Sequence, residues 1–371
     1  MSRYYTGDVH KGQDHIYSEH HHQIPNVKGG DSVGSSNGAV HVPDGLFASV
    51  GTLPASSGLA PQAVYNGGFQ SAQEIYVRIA NGGAGQSGLI GAWADAFIQY
   101  SVKKGMRPFL VAWYLADTTE SLGLLEAGSV DIAVTYNDAA ESQKIKTKAA
   151  VRREYGFRDH FYLVGPPPRV NPAALEDGDD ILAMFNKIVE SGNAHCVMPP
   201  LRGVPTRFLS RYDKSATNIK ESSLFTTIGQ APWALSYSKW YHQYPLFPIQ
   251  ALKAAAVLEE YTLTDRGTWL SSEDATTKSL HVYKAGTDDP SDPLLLPGHV
   301  LLGGKVDKNY ASICGSFMDW VIDEEGGQKV VREFKHKGEI VYSPAPEKPK
   351  PAHKVVGGWS YTDDEGRTRW S

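Results

Sequence analysis

The stretch Ile75-Tyr-Val-Arg-Ile-Ala-Asn-Gly-Gly-Ala-Gly-Gln-Ser-Gly-Leu-Ile90 decides the fold. Ile75 to Ala80 has the composition of a strand, Asn81 to Gly88 is a glycine-rich turn, and Leu89 to about Lys104 has the spacing of a helix. A strand that turns through glycines into a helix exposes backbone N–H groups at the positive end of the helix dipole. An anion or a polar ligand fits there.

Working outward, the same rhythm repeats. Trp93, Phe97 and Ile98 give the first helix an apolar face. Pro108 to Trp113 reads as a second strand. Asp117-Thr-Thr-Glu120 opens a capped helix over Ser121 to Glu126. Val130 to Thr135 reads as a third strand, ending in Tyr136-Asn-Asp138 and another helix. This alternation predicts an α/β fold with a parallel, doubly wound sheet. Further on, His160 to Gly165, Thr206 to Ser210 and the start of Tyr261 to Trp269 read as strands, the last ending in a turn. Ile181 to Ser191, Asn218 to Phe225 and Pro248 to Glu260 read as helices. Strand-like runs at His281 to Tyr283 and His299 to Leu302 precede helices over Ala311 to Ile322 and Glu325 to Lys335.

The chain has 371 residues, enough for one large core or two lobes. A net charge of −5 without a dense basic patch argues against nucleic-acid binding. Cys196 and Cys314 make neither a disulfide framework nor a zinc spacing. No apolar run reaches membrane-spanning length. The N-terminus has no hydrophobic signal core, so a cytoplasmic protein is expected. Residues 1–60, rich in Gly, Ser, His and Pro, read as a disordered arm, with His20, His21 and His22 in a solvated polar run. The Pro- and Lys-rich residues 344–371 read as a mobile tail.

Several spaced segments resemble the tungstate/molybdate-type substrate-binding proteins of ABC importers, within the type II periplasmic binding protein-like fold. Tyr261-Thr-Leu-Thr-Asp-Arg-Gly-Thr268 is similar to that family's Y-T-L-T-D-R-G-T signature. Leu209-Ser-Arg-Tyr-Asp-Lys-Ser-Ala-Thr217 resembles its S-R-G-D-D-S-G-T run. Leu163-Val-Gly-Pro166 before Asn171-Pro172, and Phe317-Met-Asp-Trp-Val321 with Glu325-Gly-Gly-Gln-Lys329, resemble two more of its segments. The wording of the first turn also resembles a fungal branch of PBP-domain proteins that have no transporter partner. The resemblance covers residues 74 to 343. It implies two α/β lobes, 74–159 plus 268–343 and 160–267, with a ligand cleft between them and a hinge that closes it.

The resemblance also implies site residues. Arg211 stands where the family's arginine contacts the oxyanion, and a guanidinium offers two parallel donors with a fixed charge. Thr217 matches the motif's last threonine at a helix start, with Ser215 beside it. Thr118 matches a threonine of the family's second loop. The bland alternatives are an Arg211 pair with Asp213 or Glu221, and plain capping by Asp117. In the first turn the family's hydroxyl-rich run is replaced by Asn81, Gly82, Gly83, Ala84 and Gly85, followed by Gln86 and Ser87. The backbone amides remain, so the implied ligand is a small anionic or polar molecule rather than tungstate in particular. Tyr136 lies on the sheet edge where open α/β sheets bind ligands. Asp159 and His160 replace the family's Asn-Asp at the crossover, where His160 is expected to satisfy a backbone partner. Asp265 and Arg266 read as an ion pair fixing the hinge. Trp233, Trp240, Tyr241 and Tyr244 read mainly as core.

A binder without cofactor, metal or catalytic residues, acting as a monomer, is the first reading. There is no Ser-His-Asp spacing, metal cluster or Walker loop. Gly83-Ala-Gly85-Gln-Ser-Gly88 satisfies G-x-G-x-x-G in letters, but no acidic residue ends the second strand for a ribose contact. Two alternatives stay open. One is an intracellular enzyme of cofactor biosynthesis on the same fold. The other is a ligand-free scaffold for protein interaction.

Overall fold

The computed structural model describes residues 59–201, 203–234, 238–347, 360–362 and 368–370. Almost all of the expected N-terminal arm, its histidine run included, and most of the expected C-terminal tail lie outside the described residues.

The chain begins with β1 (Ala63–Tyr65), β2 (Ile75–Asn81), the single turn α1 (Gly83–Gln86), α2 (Leu89–Lys103) and β3 (Leu110–Leu115). It continues through α3 (Thr118–Ala127), β4 (Ile132–Thr135), α4 (Asp138–Lys146) and the long β5 (Ala150–Gly165). Then come α5 (Ile181–Val197), β6 (Phe208–Ser210), α6 (Ala216–Thr227), β7 (Tyr241–Gln243), α7 (Pro248–Leu258) and β8 (Tyr261–Asp265). The rest comprises α8 (Arg266–Ser271), α9 (Asp274–Ser279), β9 (His281–Ala285), β10 (Leu295–Gly303), α10 (Ala311–Val321), α11 (Gly327–Glu333) and short strands from Lys335 onward.

One sheet carries these strands in the order β1-β3-β2-β4-β10-β5-β8-β6-β7, with β9 also paired to β5. The pairs of β2 with β3 and β4 are parallel, as are those of β6 with β7 and β8. The parallel sheet expected from the opening repeat is found in β3-β2-β4, and strands outside that repeat add antiparallel pairs. β10 runs antiparallel to both β4 and β5, and β8 runs antiparallel to β5. The reason is connectivity. The chain leaves the first core along β5 and must come back, so the return strand β10 lies beside β5 in the opposite direction.

Two hydrophobic cores flank that crossing. The first gathers Val77 and Ile79 of β2, Trp93 and Phe97 of α2, and Phe317 of α10, with Tyr342. The spacing of Leu89, Ile90, Trp93, Ala94, Phe97 and Ile98 is that of one helix face, which α2 buries completely. The second core gathers Phe185, Phe208, Phe225, Trp240, Tyr241 and Tyr261. β9 pairs with Tyr162 to Gly165, and Tyr283 and Leu294 sit in this second core. β5 serves both cores, with Phe157 in the first and Phe161 and Leu163 in the second. The sequence reading began this strand at His160. The charged run Arg152-Arg-Glu-Tyr155 concealed its first half, which is paired along β10.

Candidate functional site

Where β5 and β8 pass between the cores, each carries an aspartate. Phe161 pairs with Asp265, and Asp159 lies two residues before Phe161. Both residues line a cleft whose space, open to solvent, comes to about 470 Å³. Gly82 and Gly83, Asp117 and Thr118 at the start of α3, and Tyr136 after β4 line it from the first core. Arg211, the start of α6 at Ser215 to Thr217, and Phe247 and Pro248 at the start of α7 line it from the second. Three helices of full length therefore begin on the cleft. Asp117 and Ser215 cap one first-turn amide each in α3 and α6, and α7 opens on Pro248, which has no N–H, while the helix dipoles point positive ends at the space.

Arg211 is only 3% exposed. Its Nη2 donates to Asp213 at 2.5 Å, while its Nε has no partner. Asp213 is itself held, accepting from the Ser215 amide at 2.9 Å, and Tyr212 adopts the left-handed region with φ 40°. The tight loop presents the guanidinium instead of letting it extend into solvent. Both readings of Arg211 hold at once: it pairs with Asp213, and it lines the cleft. Behind it lies Glu221, wholly buried, receiving the Ser210 hydroxyl, which also accepts from Tyr241 at 2.7 Å. Burial pushes the Glu221 carboxyl up to about 8, against the opposing pull of Ser210 and Arg211.

The glycine-rich turn differs from its expected form. It closes into α1, so the amides of Gly85, Gln86 and Ser87 bond to Gly82 and Gly83 carbonyls and do not stand free. Gly82 and Gly83 remain on the cleft. The other five predicted residues of this run lie off its lining. Asn81 is fully buried, donating to the Val134 carbonyl at 2.8 Å and accepting from the Gly85 amide at 2.7 Å. Ala84 is buried in the first core. A Cβ on Gly85 would stand 2.2 Å from the Trp113 ring. Gln86 follows in the same turn, and the Ser87 hydroxyl meets that of Tyr342 at 2.6 Å. Thr118, Arg211, Ser215 and Thr217 all lie on the lining. Ser215 also caps α6, accepting from the Asn218 amide at 3.2 Å.

Asp117 both caps and lines. It forms a full capping box with Glu120 on α3. Burial, then Asp117, push Glu120 up to about 7. β3 runs two residues further than the sequence reading placed it, so Asp117 follows its end. Its carboxylate is engaged in the cap, and Gly85 is pressed against Trp113, so the G-x-G-x-x-G letters do not form a dinucleotide turn.

The expected Asp265–Arg266 ion pair is corrected. Asp265 is the N-cap of α8, accepting from the Thr268 amide and hydroxyl at 2.7 Å each, while Arg266 reaches Glu339 at 4.0 Å. The final turn of the signature is a helix start, and its aspartate faces the cleft. His160 bonds the Asp288 carboxylate at 2.8 Å, not a backbone group. Asp159 accepts from the His160 amide at 2.7 Å, and burial followed by the nearby Asp265 holds its carboxyl well above the usual range. Tyr136 accepts from Asn81 at 3.3 Å, and burial raises its hydroxyl, which therefore keeps its proton. Trp240 and Tyr241 are core residues, as expected. Phe247, Pro248 and Leu296 escaped the sequence reading, since nothing local marks an apolar residue as a cleft wall. Among the described residues no group of three or more His, Cys, Asp or Glu could hold a metal ion, and no helix is long and apolar enough to cross a membrane.

Residues 60–325 match the model of the PBP superfamily domain. A tungstate-binding protein of Peptoclostridium acidaminophilum is 26% identical over 220 residues, 58% of this chain and 68% of that protein. A solved periplasmic protein, described with a proposed metal-binding role, is 48% identical with a TM-score of 0.69, covering 77% of this chain and 100% of its own. The tungstate-binding protein of Desulfovibrio alaskensis, at 22% identity and a TM-score of 0.57 over 74% of this chain and 100% of its own, shares the fold. The two-cored α/β sheet and the match over most of its length make this chain a member of the PBP superfamily, with the type II periplasmic binding protein-like fold.

Proposed function

We propose that the protein binds a small oxyanion, or an anionic metabolite of similar chemistry, in this cleft, and that the two cores act as lobes that close on it. The lobes are taken as 74–159 plus 268–343 and 160–267, although residues 281–296 of the first range pack on the second core. The observation that carries the reading is Arg211, 3% exposed, its Nε unpartnered, on a cleft where α3, α6 and α7 all begin. Buried donors of this kind are costly to leave empty, and an anion satisfies them together. The tungstate-binding relative supports an oxyanion as the ligand class. Binding without catalysis is the corresponding role. The cytoplasmic location expected from the N-terminal sequence draws no support from the relatives, one of which is described as periplasmic.

The test is native mass spectrometry of protein from its source, then thermal shift with oxyanions, phosphometabolites and carboxylates. The expected result is stabilisation by at least one oxyanion. Arg211→Ala is expected to weaken that binding by about 1.5–3 kcal/mol in calorimetry, because a charge-assisted contact is lost. An unchanged affinity would remove Arg211 from the site.

A further inference from the structure

The oxyanion reading above is the basis for a narrower one, which concerns how the first core holds its side of the ligand. The glycine turn commits the amides of Gly85, Gln86 and Ser87 to its own carbonyls, so they do not serve an occupant. The side-chain hydroxyls that the first core brings to the lining are those of Thr118 and Tyr136. Tyr136 follows β4 and is partly buried. Its ring packs against both cores, with Phe157 edge-on at 6.0 Å between centroids. Its oxygen accepts from Asn81 Nδ2 at 3.3 Å, and the Ala84 amide acts on the same oxygen. The Asn81 amide is fixed in that orientation, because Nδ2 also donates to the Val134 carbonyl and Oδ1 accepts from the Gly85 amide.

The phenol oxygen is therefore an acceptor on its inner side, and its proton is left to give. Among the described residues no hydrogen bond takes that proton. The neighbouring carboxyls are engaged elsewhere: Asp159 accepts from the His160 amide, and Asp265 accepts from the Thr268 amide and hydroxyl. Burial keeps the phenol neutral, so it stays a donor well above neutral pH. A buried donor without a partner is unfavourable, and an anion's oxygen supplies one. We propose that Tyr136 is a ligand-binding residue, its hydroxyl donating to an oxygen of the bound oxyanion from the first core while Arg211 holds the anion from the second. The packing of the ring on both cores sets the hydroxyl where the two meet.

The test is calorimetry on the full chain with tungstate, sulfate and inorganic phosphate, using whichever of these binds wild type most tightly as the probe. Tyr136→Phe keeps the ring and removes only the donor. It is expected to bind the probe about tenfold more weakly, as the loss of a hydrogen bond to a charged group predicts, and to melt without ligand near the wild-type temperature. Tyr136→3-fluorotyrosine keeps both ring and hydroxyl. Its phenol is more acidic and donates more strongly, so it is expected to bind the probe more tightly than wild type. A packing role alone predicts neither change. Unaltered affinity in Tyr136→Phe, or no gain with the fluorinated phenol, overturns this inference and leaves the oxyanion reading standing. If Tyr136→Phe does not fold, the fluorinated chain decides by itself. No binding of any of the three anions to wild type overturns both.

Discussion

Gly83 and Gly85 are two residues apart and have unlike reasons to be glycine. A Cβ at Gly83 meets only the Asp265 carboxylate at 3.9 Å, an ordinary contact, whereas one at Gly85 runs into the Trp113 ring. Gly85→Ala is therefore expected to destabilise the fold by about 1–3 kcal/mol, as overpacking does, read as a lower denaturant midpoint. Gly83→Ala is expected to leave that midpoint nearly unchanged. Equal losses in both would show that the turn is governed by backbone freedom alone. The letters of the turn could not separate the two roles, because the difference lies in Trp113, contributed by a neighbouring strand.

At the scale of elements, the start of α6 is tied to β6 and β7 by the buried group of Glu221, Ser210 and Tyr241. Glu221 has a folded-state value of about 8 against an ordinary 4.5. Below 4.5 it is protonated whether folded or unfolded. Between the two values the unfolded chain ionises it and the folded one does not, so stability falls as pH rises through that window and levels off above it. Glu221→Gln is expected to flatten that part of the curve of melting temperature against pH, and to melt higher than wild type at mildly alkaline pH. Parallel curves for the two proteins would mean that Glu221 is ionised in the fold. The helix itself was legible from its polar first turns. The buried carboxylate was not, because Glu221 in sequence looks like any residue on a solvated face.

At the scale of the molecule, one hydrogen bond spans the cleft away from the carboxyl pair. The Thr119 hydroxyl donates to the Lys214 carbonyl at 3.0 Å, linking α3 to the Arg211 loop. If the two cores close as lobes, this bond favours the closed form. Thr119→Val is expected to lose about 0.5–1.5 kcal/mol of that preference. In small-angle scattering without ligand it should give a larger radius of gyration than wild type. An identical radius would mean that this contact contributes nothing to closure.

The sequence by itself determined the α/β class, most of the helices, and the motifs that resemble the substrate-binding family, since these rest on local periodicity, capping and spacing. It also singled out Arg211, Thr217, Gly82 and Gly83, which the structure brings to one cleft although more than a hundred residues of chain separate them. Only the tertiary structure decided that β10 returns antiparallel, that the last turn of the signature is a helix start, and that Asp159 and Asp265 line the same cleft. Those facts depend on which strands lie side by side at the crossing, and strand adjacency is set by long-range packing that no local pattern records.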